Sequence, residues 1–187
     1  LNESLSEDEL NNIENHIEWA NEIKHNNNVG KENVDAIVND AIGEVFVNVL
    51  KDCAVFKDEN IDYVAGIESR GFIFGAPLAC KLNAGFVTVR KPNKLPADTI
   101  KETYDLEYGT DTIEMHADAV KAGDRVLVID DLLATGGTAA AACNLVKKAG
   151  ADVVASAFII ELDPLKGREK IEASGVNVVS MLNYDLD

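Results

Sequence analysis

Residues 126–138 read VLVIDDLLATGGT. Four apolar residues lead into a pair of acids, Asp130 and Asp131, and a short loop of Thr and Gly follows at once. The run 125–131 has the composition of a buried central strand, and GGTAAAACNLVKKAG after it predicts a helix of good formers, closed by Gly150. A strand that turns through glycines into a helix is a natural anion cradle. Backbone N–H groups of Ala134, Thr135, Gly136, Gly137 and Thr138 converge there, the two Thr hydroxyls add donors, and the helix N-terminus adds partial positive charge. No Gly-Lys-Ser/Thr follows the glycines and no GxGxxG is present, so neither a Walker A loop nor a dinucleotide fingerprint fits. The alternative is a strand–helix turn whose glycines serve packing alone.

The two acids shift that balance. A carboxylate beside a phosphate is repelled unless it faces another group. Ionised carboxylates only accept hydrogen bonds, so sugar hydroxyls suit them. Asp130 and Asp131 therefore fit the 2′- and 3′-hydroxyls of a ribose whose 5′-phosphate lies in the loop.

Outward from this motif, strands and helices alternate. YVAGI (63–67), GFVTVR (85–90), DVVASAFIIEL (152–162) and VNVVSML (176–182) read as strands, and GFIFGAPLACKLN (71–83) as a helix. KPNKLP (91–96) is a loop fixed by two prolines, and 97–116 alternates as a polar hairpin or mobile flap. LKGREK (165–170) predicts a loop leading into a helix. The pattern implies an α/β fold, a mostly parallel twisted sheet flanked by helices. No repeat or linker divides the 187 residues, so one domain is expected over 1–187. Within it 1–33 is atypical, being polar, acidic and Asn-rich, with a helix expected over about 6–24 and a second within 33–52.

The net charge of −16 argues against nucleic acid as a partner, because phosphate backbones need clustered Lys and Arg. It also means that an anion site must build a local positive field against the global one. No apolar run approaches a membrane span and no charged-then-apolar leader opens the chain, so a cytoplasmic protein without membrane contact is expected. Cys53, Cys80 and Cys143 are widely spaced and odd in number, which reads as reduced thiols in or near the core. His16 and His25 have no further ligands in pattern with them, and His116 reads as a residue without a catalytic role.

VLVIDDLLATGGT resembles the phosphoribosyl-diphosphate motif of the type I phosphoribosyltransferases. GIESRGFIFGAPLA (66–79), VRKPNKLP (89–96), YDLEYGTDTIEMH (104–116) and ELDPLKGREK (161–170) follow in the order of the adenine branch of that family. The resemblance runs from about residue 61 to the end of the chain. It implies a phosphoribosyltransferase-like fold with a flexible flap, a homodimer, and transfer of 5-phosphoribosyl to adenine, giving AMP and diphosphate. It implies Mg2+ bound mainly through phosphoribosyl diphosphate, with no protein side chains as metal ligands. Ser69, Arg70, Arg90 and Lys91 would bind diphosphate, with a cis peptide between Glu68 and Ser69. Glu107 would be the acid–base residue near the purine, and Tyr108 would seal the site from the flap. Glu161, Leu162 and the 165–170 loop would border the base pocket and the dimer contact. The family's N-terminal hood, of pattern F-P-x-P-G-I-x-F-x-D, has no counterpart here, since the first 60 residues contain no proline. A different nucleobase, or a non-catalytic sensor of phosphoribosyl diphosphate or a nucleotide, therefore stays open at this point.

Overall fold

A computed structural model describes residues 59–105 and 109–185. The two expected N-terminal helices, Glu107 and Tyr108 lie outside these residues. In chain order the elements are β1 (Tyr63–Ile67), α1 (Gly71–Leu82), β2 (Gly85–Val89), β3 (Thr99–Asp105), β4 (Thr110–His116) and β5 (Arg125–Leu133). They continue with α2 (Gly137–Lys148), β6 (Asp152–Leu162), a 3-10 turn (Asp163–Leu165), α3 (Gly167–Glu172) and β7 (Asn177–Tyr184). No described helix is long and apolar enough to cross a membrane.

Five strands form one parallel sheet in the order β2-β1-β5-β6-β7. The apolar run of 126–129 earns its central place by being buried on both faces. Successive strand residues point to opposite faces. Ala65, Ile67, Val126, Val128 and Phe158 share one core cluster with Ala142, Leu145 and Val146 of α2 and with Ile113 and Met115 of β4. The alternate residues Val64, Leu127 and Ile129 are equally buried on the other face. There α1 approaches closely because its contact positions lack side chains. A Cβ on Gly75 would stand 2.7 Å from the Phe86 ring and 3.0 Å from Ile129 Cγ2.

The polar alternation of 97–116 is a hairpin. β3 and β4 pair antiparallel from Thr99↔His116 to Asp105↔Thr110. One face of β4 carries the buried Ile113 and Met115, and Glu114, which points to the opposite face, is equally buried at 1% exposure. Glu114 is satisfied by the Asn93 amide (2.9 Å), Thr99 Oγ1 (3.2 Å) and Lys101 Nζ (3.1 Å). Burial would raise its pKa, but Lys101 and the other donors outweigh burial and hold the carboxyl below its ordinary value. This carboxylate pins the proline-fixed loop to the hairpin.

Two sequence expectations change. β5 runs to Leu133, two residues past the expected end, so both aspartates lie within the strand rather than at its tip. Cys80 is exposed, on the outer side of α1, rather than in or near the core. Cys143 is buried as expected, and burial pushes its thiol up to about 11, which leaves it an unreactive packing residue.

Candidate active site

The sheet order reverses between β1 and β5. The chain goes from β1 outward to β2 on one side, and from β5 to β6 and β7 on the other. A crevice opens at the carboxyl ends of strands at such a point. The two turns that leave β1 and β5 there are the ESRG turn, 68–71, and the 134–136 loop.

After β5, Gly136 caps α2 with φ +73°, a left-handed conformation that favours glycine. No side chain caps this helix, so its first amides remain available to a ligand. A second glycine fixes the loop from the opposite side. A Cβ on Gly167, at the start of α3, would stand 2.2 Å from the Ala134 carbonyl and 3.0 Å from the Gly136 nitrogen. The LKGREK segment is thus packed directly on the 134–136 loop. The Thr138 hydroxyl donates to the Tyr104 oxygen at 3.0 Å, which ties the end of β3 to the first turn of α2.

The two aspartates have different surroundings. Asp130 Oδ1 accepts the Asp131 amide at 2.9 Å. Burial raises its pKa to about 7; the amide bond opposes this and the Asp131 charge adds to it. Asp131 instead pairs with Arg70 Nε at 2.5 Å. That contact joins the ESRG turn to the aspartate pair across adjacent strands, where Gly66 lies opposite Ile129. The Glu68–Ser69 peptide is cis.

Glu68 organises the cations around this turn. It accepts Arg90 Nε at 3.3 Å, the Lys91 amide at 3.0 Å, and Lys94 Nζ. Burial would raise its pKa, yet Lys94, the Lys91 amide and Arg90 together lower it to about 2, so it is ionised at neutral pH. Arg90 also lies over the Phe72 ring, 6.0 Å from its centroid, and bonds the Lys94 carbonyl at 3.3 Å. Lys91 pairs with Asp111 of the hairpin and sits 6.0 Å from the Tyr104 ring centroid. Asp111 also accepts the Tyr104 hydroxyl at 3.3 Å. A chain of polar contacts therefore runs from Lys91 through Asp111 and Tyr104 to Thr138.

Of the residues singled out in the sequence, Asp131 is joined to Arg70 by direct contact, with Asp130 bonded to the Asp131 amide and the 134–138 turn following in the chain. Arg90 and Lys91 reach the same region through Glu68, two residues before Arg70. Glu161 is placed differently. It is 3% exposed, and its two oxygens are held by Arg168 Nε (3.0 Å) and Nη2 (2.5 Å), with Ser180 Oγ at 2.5 Å. It fixes α3 to β6 and β7 rather than facing a pocket. Glu68, Tyr104 and Asp111 were given no role in the sequence, whereas Gly167 and Lys170 lie in the 165–170 loop that was expected to border the base pocket. Glu68 carried a signal, as the acid that opens ESRG; Tyr104 and Asp111 have none outside the tertiary structure.

Residues 30–185 match the family described as phosphoribosyl transferase domain. The chain is 57% identical over 131 residues to an adenine phosphoribosyltransferase of Clostridium perfringens, covering 70% of this chain and 75% of that one. It is similar in structure to adenine phosphoribosyltransferase from Rhodothermus marinus, with TM-score 0.73 and 51% identity over 77% of this chain and 80% of that one. The Saccharomyces cerevisiae enzyme, solved with D-2,5-dideoxy-2,5-imino-altritol 1,6-bisphosphate and adenine, gives TM-score 0.70 and 43% identity, covering 78% and 80%.

Proposed function

The chain belongs to the phosphoribosyl transferase family, and on that premise we propose that it transfers 5-phosphoribosyl from phosphoribosyl diphosphate to adenine, forming AMP and diphosphate in purine salvage. The observation that carries the reading is the Arg70–Asp131 contact, which sets an uncapped helix N-terminus, two aspartates and a cation-rich turn around one crevice. Relatives at this level of identity carry the adenine activity in their names.

In this mechanism the 134–138 amides hold the 5′-phosphate. Asp131 exchanges Arg70 for ribose hydroxyls when the sugar arrives, which releases Arg70 toward the diphosphate. Ser69, Arg70, Arg90 and Lys91 hold the leaving diphosphate. Positive charge builds on the ribose as its bond to diphosphate lengthens, as in other glycosyl transfers. Asp130, whose carboxyl titrates near neutrality, is ionised by the approach of that charge and stabilises it. Glu107 takes or positions the proton of the purine nitrogen that attacks, and Tyr108 closes the flap against water. Magnesium bound mainly through phosphoribosyl diphosphate would supply charge neutralisation at the leaving group that Ser69, Arg70, Arg90 and Lys91 hold. Among the described residues no group of three or more His, Cys, Asp or Glu side chains is gathered for a metal. The two aspartates are engaged with Arg70 and a backbone amide, which suits an ion carried by the substrate. The protein works as a homodimer in the cytoplasm under this reading.

The test is diphosphate release from phosphoribosyl diphosphate and magnesium with each nucleobase in turn. Release with adenine alone is expected. Release with another base would reassign the substrate, and none with any base would favour a phosphoribosyl diphosphate sensor.

A further inference from the structure

In a chain of net charge −16, one exposed cation stands beside the first turn of α2, on α3. Lys170 Nζ lies 3.7 Å from the point where a Cβ on Gly137 would stand, beside the first residue of α2. Two fixed contacts hold α3 in this position. Gly167 abuts the Ala134 carbonyl, and Arg168 is locked by Glu161, Ser180 and the Val178 carbonyl at 2.8 Å.

The neighbouring cations are all engaged. Arg168 pairs with Glu161 and Glu172, Lys166 lies 3.7 Å from Glu169, Lys147 donates to the Ser174 carbonyl and Lys148 pairs with Glu102. Among the described residues Lys170 has no acidic partner, and it is exposed. The Asp105 carbonyl lies equally near that point, at 3.7 Å, and no hydrogen bond joins it to Lys170. A helix N-terminus carries partial positive charge and disfavours a cation, so an ammonium group beside α2 gains when an anion lies between them.

We propose that Lys170 is a binding residue for the 5′-phosphate, closing the 134–138 cradle from the α3 side. The proposal rests on the phosphoribosyl reading of that cradle. Its chemistry is a point charge on a flexible stem that meets a phosphate dianion already held by amides. The contact is the same in substrate and transition state, so it acts on affinity and leaves turnover nearly unchanged.

The experiment measures AMP and adenosine binding by calorimetry to the wild type, K170M and K170R, with the Michaelis constant for phosphoribosyl diphosphate and turnover alongside. K170M is expected to weaken AMP by about tenfold, the scale of one charge-assisted contact at a solvent-facing site. Adenosine affinity, turnover and thermal midpoint stay unchanged, the Michaelis constant rises in step with the loss of AMP affinity, and K170R restores most of both. If the wild type prefers AMP over adenosine and K170M keeps that preference intact, the Lys170 proposal is overturned while the cradle stands. If K170M weakens AMP and adenosine equally, Lys170 acts on the fold and the proposal also fails. A wild type with no preference for AMP overturns the cradle and the proposal together.

Discussion

Replacing Asp130 by Asn should make the free protein more stable at alkaline pH while impairing it as a transferase. Asn keeps an oxygen that accepts the Asp131 amide, so the local hydrogen bond survives and only the charge is lost. Burial moves the Asp130 carboxyl from 3.8 to about 7. An acid whose pKa is raised on folding binds more protons in the native state than in the unfolded one, so stability falls as pH rises between those two values. Each unit corresponds to about 1.4 kcal/mol, which sets an upper bound of about 4 kcal/mol for ionised Asp130. Asp130 keeps partial contact with solvent, and screening brings the expected effect to about 1–2 kcal/mol. Urea unfolding of the wild type and D130N at pH 5.5, 6.5, 7.5 and 8.5 reads this directly. The stability advantage of D130N should grow from pH 5.5 to about 7 and then level off. Diphosphate release at saturating substrates should fall at least tenfold. An advantage that does not change with pH, or a D130N protein less stable than wild type at pH 8.5, would refute the assignment of a buried, reluctantly ionised carboxylate.

Gly167→Ala places a methyl group 2.2 Å from the Ala134 carbonyl, so the 134–136 loop must shift. A loss of about 1–3 kcal/mol in urea melts is expected, with a Michaelis constant for phosphoribosyl diphosphate raised at least tenfold in steady-state assays. Tyr104→Phe removes the hydroxyl that bridges Thr138 and Asp111. Thermal unfolding should show a loss of about 0.5–1.5 kcal/mol, and phosphoribosyl diphosphate affinity should change because Thr138 loses its orienting partner. Glu107→Gln should slow the chemical step by about 100-fold or more in single-turnover assays at saturating substrates, and an unaltered rate would move the proton role to another group.

The strand, the turn and the helix of 125–148 were legible because their signals are local. An apolar run, two glycines and a block of helix formers each act on their own few residues, and the paired acids beside an anion turn have few chemical uses. The hairpin was legible from its period of two. Cys80 was misplaced because α1 is apolar on more than its buried stripe, and an isolated cysteine carries no pattern of its own. β5 was ended too early because acids normally mark a strand's exposed end, whereas Asp130 pairs in register with Phe158 inside the sheet.

The sequence alone determined the alternating architecture, the glycine turn after β5, the acids beside it and the family. Tertiary structure alone decided which distant groups meet: Arg70 with Asp131, Glu68 with Arg90 and Lys94, Gly167 with Ala134, and Lys170 with the first turn of α2. Those pairings depend on the strand order β2-β1-β5-β6-β7, which brings the ends of β1 and β5 side by side and folds α3 back over the loop. Local periodicity sets what each segment becomes and carries no information about its neighbours. The partner of a charge is fixed only when the sheet closes the distance between them.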